Sequence, residues 1–165
     1  MPSAHEYGQL TIRAMAATDA AAVAAMAREL AAALDDPDPM LNPHDLVRDG
    51  TGPDRWFDCL VAEIQDGLIG YAMVCRGYEA HMGKRRLWLS DLYVRTHARR
   101  TGAGRALMMA IARLTITQGC ETVYWDLWRL NQLGKVFYES LGAVEIGDLG
   151  IWRVGSRELA AASDE

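Results

Sequence analysis

The sequence holds 165 residues, half of them hydrophobic and 24% charged, with a formal net charge of −5. That length fits one domain over residues 1–165 with a core large enough to need no disulfide or metal staple. The composition excludes a disordered chain, and the acidic balance leaves no basic field to neutralise nucleic-acid phosphates.

Leu10, Ile12 and Ala14 alternate with Thr11 and Arg13, which predicts a first strand. Thr18 then reads as the N-cap of an alanine-rich helix from Asp19 to about Leu34, with Val23, Met26, Ala27 and Leu30 on one face. The prolines of Asp35-Asp36-Pro37-Asp38-Pro39 must break it, leaving three acids in a solvated loop or, as the alternative, an acidic rim for a polycationic ligand. Asn42-Pro43 reads as the cap and first position of a short helix ending near Gly50. A strand from Phe57 to Ile64 follows, turning at Asp66-Gly67 into a return strand from Leu68 to Cys75. Arg76 to Lys84 reads as a loop and Arg86 to Val94 as a long strand. Gly102 to Gln118 reads as a helix, Thr122 to Trp128 as a strand, and Asn131 to Leu141 as a helix stopped by Gly142. Ile146 and residues 151–154 suggest a closing hairpin. This order predicts a mixed α/β domain, not a doubly wound parallel sheet.

The cysteines, Cys59, Cys75 and Cys120, form no CxxC or Cys/His pair at zinc spacing, so reduced thiols and no metal are expected. Met1 to Leu10 lacks the basic and apolar regions of a signal peptide, and no run of 18 apolar residues occurs. A cytoplasmic protein without membrane or nucleic-acid partners is the expectation.

Chemistry concentrates in Arg99-Arg100-Thr101-Gly102-Ala103-Gly104-Arg105, between a strand and a helix. Small residues let backbone approach a ligand, the unpaired N–H groups of a helix start attract a pyrophosphate, and the arginines add charge. The alternative is a tight structural turn. A dinucleotide fingerprint fits less well, because Leu107 stands where a small residue belongs and several strands precede the loop. No Gly-Lys-Ser/Thr follows, which excludes a P-loop.

An R-x-x-G-x-G segment joining a long strand to a helix resembles the acetyl-CoA pyrophosphate loop of the GNAT N-acetyltransferase superfamily. Asn131-Gln132-Leu133-Gly134-Lys135-Val136-Phe137-Tyr138-Glu139-Ser140-Leu141-Gly142 resembles that superfamily's second motif. Phe57 to Glu63, Ile69 to Met73, Gly83-Lys84, Leu89 to Val94 and Trp152-Arg153 are similar to the diamine (spermidine/spermine) and thialysine N-acetyltransferase branch. The chain departs from that branch in having Ser90 for a glutamate, Leu130 for a tryptophan and Arg100 for a glycine.

The resemblance implies a mostly antiparallel central sheet flanked by about four helices, with strands splayed at the acetyl-CoA site. It implies acetyl transfer from acetyl-CoA to a primary amine of a small molecule, by direct attack in a ternary complex, in a homodimer. Arg99, Arg100, Thr101, Gly102, Ala103, Gly104 and Arg105 would hold the pyrophosphate. Leu92, Tyr93 and Val94 would pair with the pantetheine arm, with a backbone N–H, that of Leu92, facing the thioester oxygen. Asn131 would touch the pantetheine or cap its helix, with Lys135 beside it. Tyr138 would protonate the departing thiolate. Glu79 and Ser90 would handle the amine; Asp91 and Asp126 are further candidates for the base. With side chains alternating along a strand, Ser90 and Leu92 are expected on one face and Asp91 on the other. A serine cannot neutralise an ammonium, so spermine is expected to be a poor acceptor. A protein N-terminus or lysine as acceptor, and an acyl-CoA-binding module without catalysis, remain open alternatives.

Overall fold

The computed structural model describes residues 9–36, 41–147 and 154. The chain divides into two compact units, Met1–Asp126 and Leu127–Glu165. The first unit carries a five-stranded sheet in the order β1 (Thr11–Ala14), β2 (Phe57–Ile64), β3 (Gly67–Glu79), β4 (Lys84–Val94), β5 (Thr122–Tyr124). The first three pairings are antiparallel and β4–β5 is parallel, so the sheet is mixed, as expected.

Helices α1 (Ala20–Ala33) and α2 (Pro43–Gly50) cover one face, where Val23, Met26 and Leu46 pack on Cys59, Val61, Tyr71, Met73 and Tyr93. Each fully buried Val, Leu or Met side chain contributes about 1.5–3 kcal/mol. Helix α3 (Ala103–Thr117) packs on β2, β3 and β4 through Leu107 and Ile111, which belong to no part of that first cluster and serve the opposite face.

Most boundaries match the pattern reading, with four corrections. Thr18 makes no cap; α1 opens through a 3-10 turn at Ala17–Asp19, and the Asp19 carboxylate accepts from Ala16 N–H (2.7 Å) and Arg13 (2.6 Å). A carboxylate that binds a guanidinium and an N–H together outcompetes a lone hydroxyl. The expected loop from Arg76 is instead paired strand: β3 runs to Glu79, and only Ala80–Gly83 turns, with Gly83 at φ +66°. β5 stops at Tyr124, four residues early. The fourth correction is a bulge. Met73 pairs with Asp91 and Val74 with Leu89, so Ser90 is an extra residue in β4.

Asn42 caps α2 by accepting from Asp45 N–H at 3.0 Å, with Pro43 in the first turn. In the second unit, α4 (Gln132–Glu139) is capped by Asn131 and followed by Gly142 at φ +85°. Of the suggested closing hairpin, Ile146 lies outside any strand and residues 151–153 lie outside the described residues.

Candidate functional site

β4 and β5 pair only through Arg86–Thr122, Leu87–Val123 and Trp88–Tyr124. β4 then runs on through 89–94, and among the described residues no strand pairs with it on that edge. Arg95 N–H donates to Ile69 of β3 at 2.9 Å. Successive backbone groups alternate in direction along a strand, so the N–H groups of Leu92 and Val94 point away from β3, into the gap. The Val94 carbonyl faces the same way and accepts from Arg99 Nε at 3.2 Å.

The loop after β4 opens onto the same gap. Arg100 is left-handed at φ +66° and Gly102 at φ +93°, ψ −5°. Alternating left-handed residues gather N–H groups into an anion-binding nest. Gly102 is the N-cap residue of α3, and no side chain caps the helix there. A Cβ added at Gly102 would meet nothing within 4 Å, so the mouth of this helix is open. Thr101 Oγ1 bonds back to the Ala98 carbonyl (2.8 Å) and holds the turn. Arg99 lies 6.0 Å from the Tyr93 ring centroid. Tyr93 in turn donates to Glu29 (3.2 Å), which also pairs with Arg95 (3.2 Å), so α1 is tied to the end of β4. Burial, with Glu29 adding to it, raises the Tyr93 pKa. Leu92, Tyr93, Val94 and the whole segment 99–105 thus lie together at one edge.

The bulge re-aims the acceptor candidates. Ser90 and Asp91 do not face opposite sides. Asp91 lies with Met73 and Tyr71 on the α1 side, while Leu92 pairs with Ala72 on the α3 side. Ser90 Oγ lies 3.4 Å from Cys75 Sγ, which also belongs to the α1 side, so Ser90 and Leu92 do not share a face. Asp91 accepts from the Tyr71 hydroxyl at 2.9 Å. Burial raises the Asp91 pKa, the Tyr71 hydrogen bond opposes that, and the Asp126 charge adds to it. Burial, with the Asp91 charge next, also pushes Tyr71 upward and the Cys59 thiol up to about 12.

Glu79 stands at the hairpin tip, opposite Lys84 and 3.4 Å from His81. Eight strand residues separate that rung from Leu92, on the order of 26 Å. The structure therefore does not bring Glu79 to the Leu92 edge. A cleft of about 550 Å³ lies at this tip, lined by arginines 76, 85 and 86 among others; none of the expected acetyl-CoA residues lines it.

In the second unit, Asn131 Oδ1 accepts from Gly134 N–H at 2.8 Å, which is the capping alternative. A Cβ on Gly134 would meet the Asn131 side chain at 2.8 Å, so glycine is required beside this cap. Lys135 pairs with Glu145 (3.5 Å) and Glu139 (4.0 Å). Tyr138 is half-buried against the Phe137 ring, with centroids 5.2 Å apart. Among the described residues, no group of His, Cys, Asp or Glu could hold a metal ion, and no helix is long and apolar enough to cross a membrane.

Comparison with known proteins decides what this arrangement belongs to. The Acetyltransferase (GNAT) family pattern matches residues 23–143. The chain belongs to the GNAT acetyltransferase family. This GNAT chain is 30% identical over 151 residues to human "Spermidine/spermine N(1)-acetyltransferase-like protein 1", covering 87% of the chain and 22% of that protein. It is 27% identical over 115 residues to "Thialysine N-epsilon-acetyltransferase" of Bos taurus, covering 65% of the chain and 67% of the relative. The chain thus spans about a fifth of the first relative's length and two thirds of the second's. A solved V. cholerae integron cassette protein shares the fold at a TM-score of 0.75 and 21% identity, over 94% of this chain and 98% of the other. A Brucella melitensis ribosomal-protein-alanine N-acetyltransferase does so at 0.72 and 23%, over 89% and 100%.

The pattern reading did not bring Arg86 and Tyr124 together, which meet on the α1 face. It also missed the bulge, whose signal was present: along the α3 side, Leu87 and Leu89 are two apart but Leu89 and Leu92 are three apart.

Proposed function

We propose that this GNAT chain transfers the acetyl group of acetyl-CoA to a primary amine of a small molecule. The observation that carries the reading is the open β4 edge. The N–H groups of Leu92 and Val94, without a strand partner among the described residues, lead into an arginine-bearing helix start that no side chain caps. Arg99 to Arg105 bind the pyrophosphate, and the 92–94 backbone pairs with the pantetheine arm. The Leu92 N–H stabilises the oxyanion that forms when the amine nitrogen attacks the thioester carbonyl. The carbon–sulfur bond then breaks, and Tyr138 gives its proton to the departing thiolate. The amine must shed a proton to react, and Asp91 and Asp126 flank the bulge far closer than Glu79. Glu79, at the hairpin tip, takes no part in this reading. The family resemblance also assigns Asn131 and Lys135 to the pantetheine.

The acceptor class is drawn from the relatives' names, which speak of spermidine/spermine and thialysine. Ser90 in place of a carboxylate favours a singly charged or zwitterionic amine over spermine. The family resemblance also implies a cytoplasmic homodimer without a metal. The test is a turnover panel of polyamines, lysine analogues and peptide N-termini, with product identified by mass and free CoA by thiol titration. Transfer to small amines supports the reading. Transfer to peptides alone, or binding of acetyl-CoA with no transfer to any amine, overturns it.

A further inference from the structure

The helix-covered part of the α1 face ends at Met73 and Asp91. Beyond α1 and α2 the same face of this unit continues through Cys75, Gly77, Arg86, Trp88, Ser90 and Tyr124, all half-buried or exposed. Arg86 is the cation on that floor, and its geometry is fixed from two sides. Its guanidinium lies 4.9 Å from the Tyr124 ring centroid. Its stem lies across Gly77, where an added Cβ would come within 3.3 Å of Arg86 Cγ and 3.4 Å of Nε. Among the described residues no carboxylate pairs with it.

Tyr124 is the partner of Trp88, whereas Arg86 pairs with Thr122. The guanidinium therefore leans along the face by one rung, toward Ser90. Two residues then separate it from the bulge, on the order of 7 Å. That matches the span between a terminal amine and the carboxylate of a five-carbon amino acid, about 6 Å by bond lengths. Going down the face from Ser90, the first carboxylate is that of Glu79, opposite Lys84 and on the order of 20 Å away. An acceptor whose amine lies at the bulge, beside Asp91 and Asp126, and which extends down the face meets the Arg86 cation before it reaches Glu79.

We propose that Arg86 binds the carboxylate of the acceptor, and that the acceptor is an α-amino acid with a terminal side-chain amine. This rests on the N-acetyltransferase reading above. A guanidinium stacked on a ring and laid over a glycine keeps its fork of donors oriented, which favours two parallel bonds to a carboxylate. The same charge repels the second ammonium of a short diamine.

The experiment compares kcat/KM for L-ornithine, L-ornithine methyl ester and 1,4-diaminobutane, first in the wild-type chain, where no variant has to fold. Ornithine should be preferred to both by about ten- to a hundred-fold, the worth of a hydrogen-bonded charged pair. In Arg86→Gln the ornithine preference should collapse towards one, through KM, and Arg86→Lys should restore part of it. Equal use of the three amines by the wild type overturns the proposal, and so does an undiminished preference in Arg86→Gln. If none of the three is acetylated while a peptide amine is, the small-amine reading itself has failed and the Arg86 assignment falls with it.

Discussion

Gly102 is the position where conformation and ligand binding can be separated by one methyl group. Its φ of +93° is left-handed, and a Cβ there meets nothing within 4 Å. Gly102→Ala therefore adds no clash, only the cost of holding an L-residue in that region, about 1–2 kcal/mol. At about 2–4 °C per kcal/mol for a chain of this size, the melting temperature without ligand should fall by roughly 2–8 °C. The second effect lies in the open space itself. If a pyrophosphate occupies the helix mouth, the methyl group stands in its way, and acetyl-CoA affinity should drop about tenfold or more. In the wild type, acetyl-CoA at about 100 times its Kd should add about 2.7 kcal/mol; at the same concentration the variant should keep only part of that gain. The assay is a thermal melt of both proteins with and without acetyl-CoA, with NAD as the control nucleotide. An unchanged melt without ligand would refute the strain argument. A lowered melt with the full acetyl-CoA shift retained would reduce the loop to a structural turn.

Tyr138→Phe should lower kcat by about 10²–10⁴-fold and leave acetyl-CoA affinity within a few fold, because the hydroxyl is proposed to act only as the thiolate departs. Near-normal turnover where chemistry is rate-limiting would make Tyr138 a packing residue. Asp91 should leave a mark on the pH dependence of stability. Its native pKa is raised by burial, so the native state holds this proton more tightly than the unfolded chain. Its contribution is therefore most favourable below the unfolded value of 3.8 and declines as pH rises through the native pKa. Asp91→Asn should remove that decline above pH 3.8 from denaturant midpoints, and identical slopes would contradict it. Asp19, whose pKa the Arg13 guanidinium lowers, acts with the opposite sign as pH falls, so the difference between variant and wild type is the quantity to read. Gly70→Ala places a Cβ 2.7 Å from the Tyr93 carbonyl oxygen, so β4 must shift where its edge is open. A loss of about 1–3 kcal/mol is expected, together with weaker acetyl-CoA binding, and a neutral substitution would show that the edge tolerates displacement.

The elements with strong local signals were legible in the sequence. Asn42-Pro43 supplies a cap and a fixed φ, and α2 begins there; Gly102 and Gly142 each mark a helix end at positive φ. The loop proposed to hold the pyrophosphate stood out because its glycines and arginines are contiguous. What depends on pairing between distant segments was not. The bulge at Ser90 arises from the register of β3 against β4, and strand alternation read from β4 alone puts Asp91 on the wrong side. Glu79 read as a loop residue because Gly77 and the polar residues around it weaken the strand pattern, yet pairing with Lys84 carries β3 to the tip. The cap of α1 was misplaced for a similar reason: Asp19 is held by Arg13, itself fixed by Glu63 at 2.7 Å from another strand. Arg86 acquires meaning only when Tyr124 and Gly77 are brought beside it.

Amide hydrogen exchange with and without acetyl-CoA tests the central claim most directly, that acetyl-CoA lies along the open edge of β4. Among the described residues the Leu92 and Val94 amides have no strand partner on that side, so they should exchange readily in the free protein. Binding of acetyl-CoA should slow them together with the amides of 102–104, while the amides of the β3–β4 tip stay unchanged. Binding that leaves Leu92 and Val94 unprotected, or that protects the tip near Arg76 and Arg85 instead, would contradict the account.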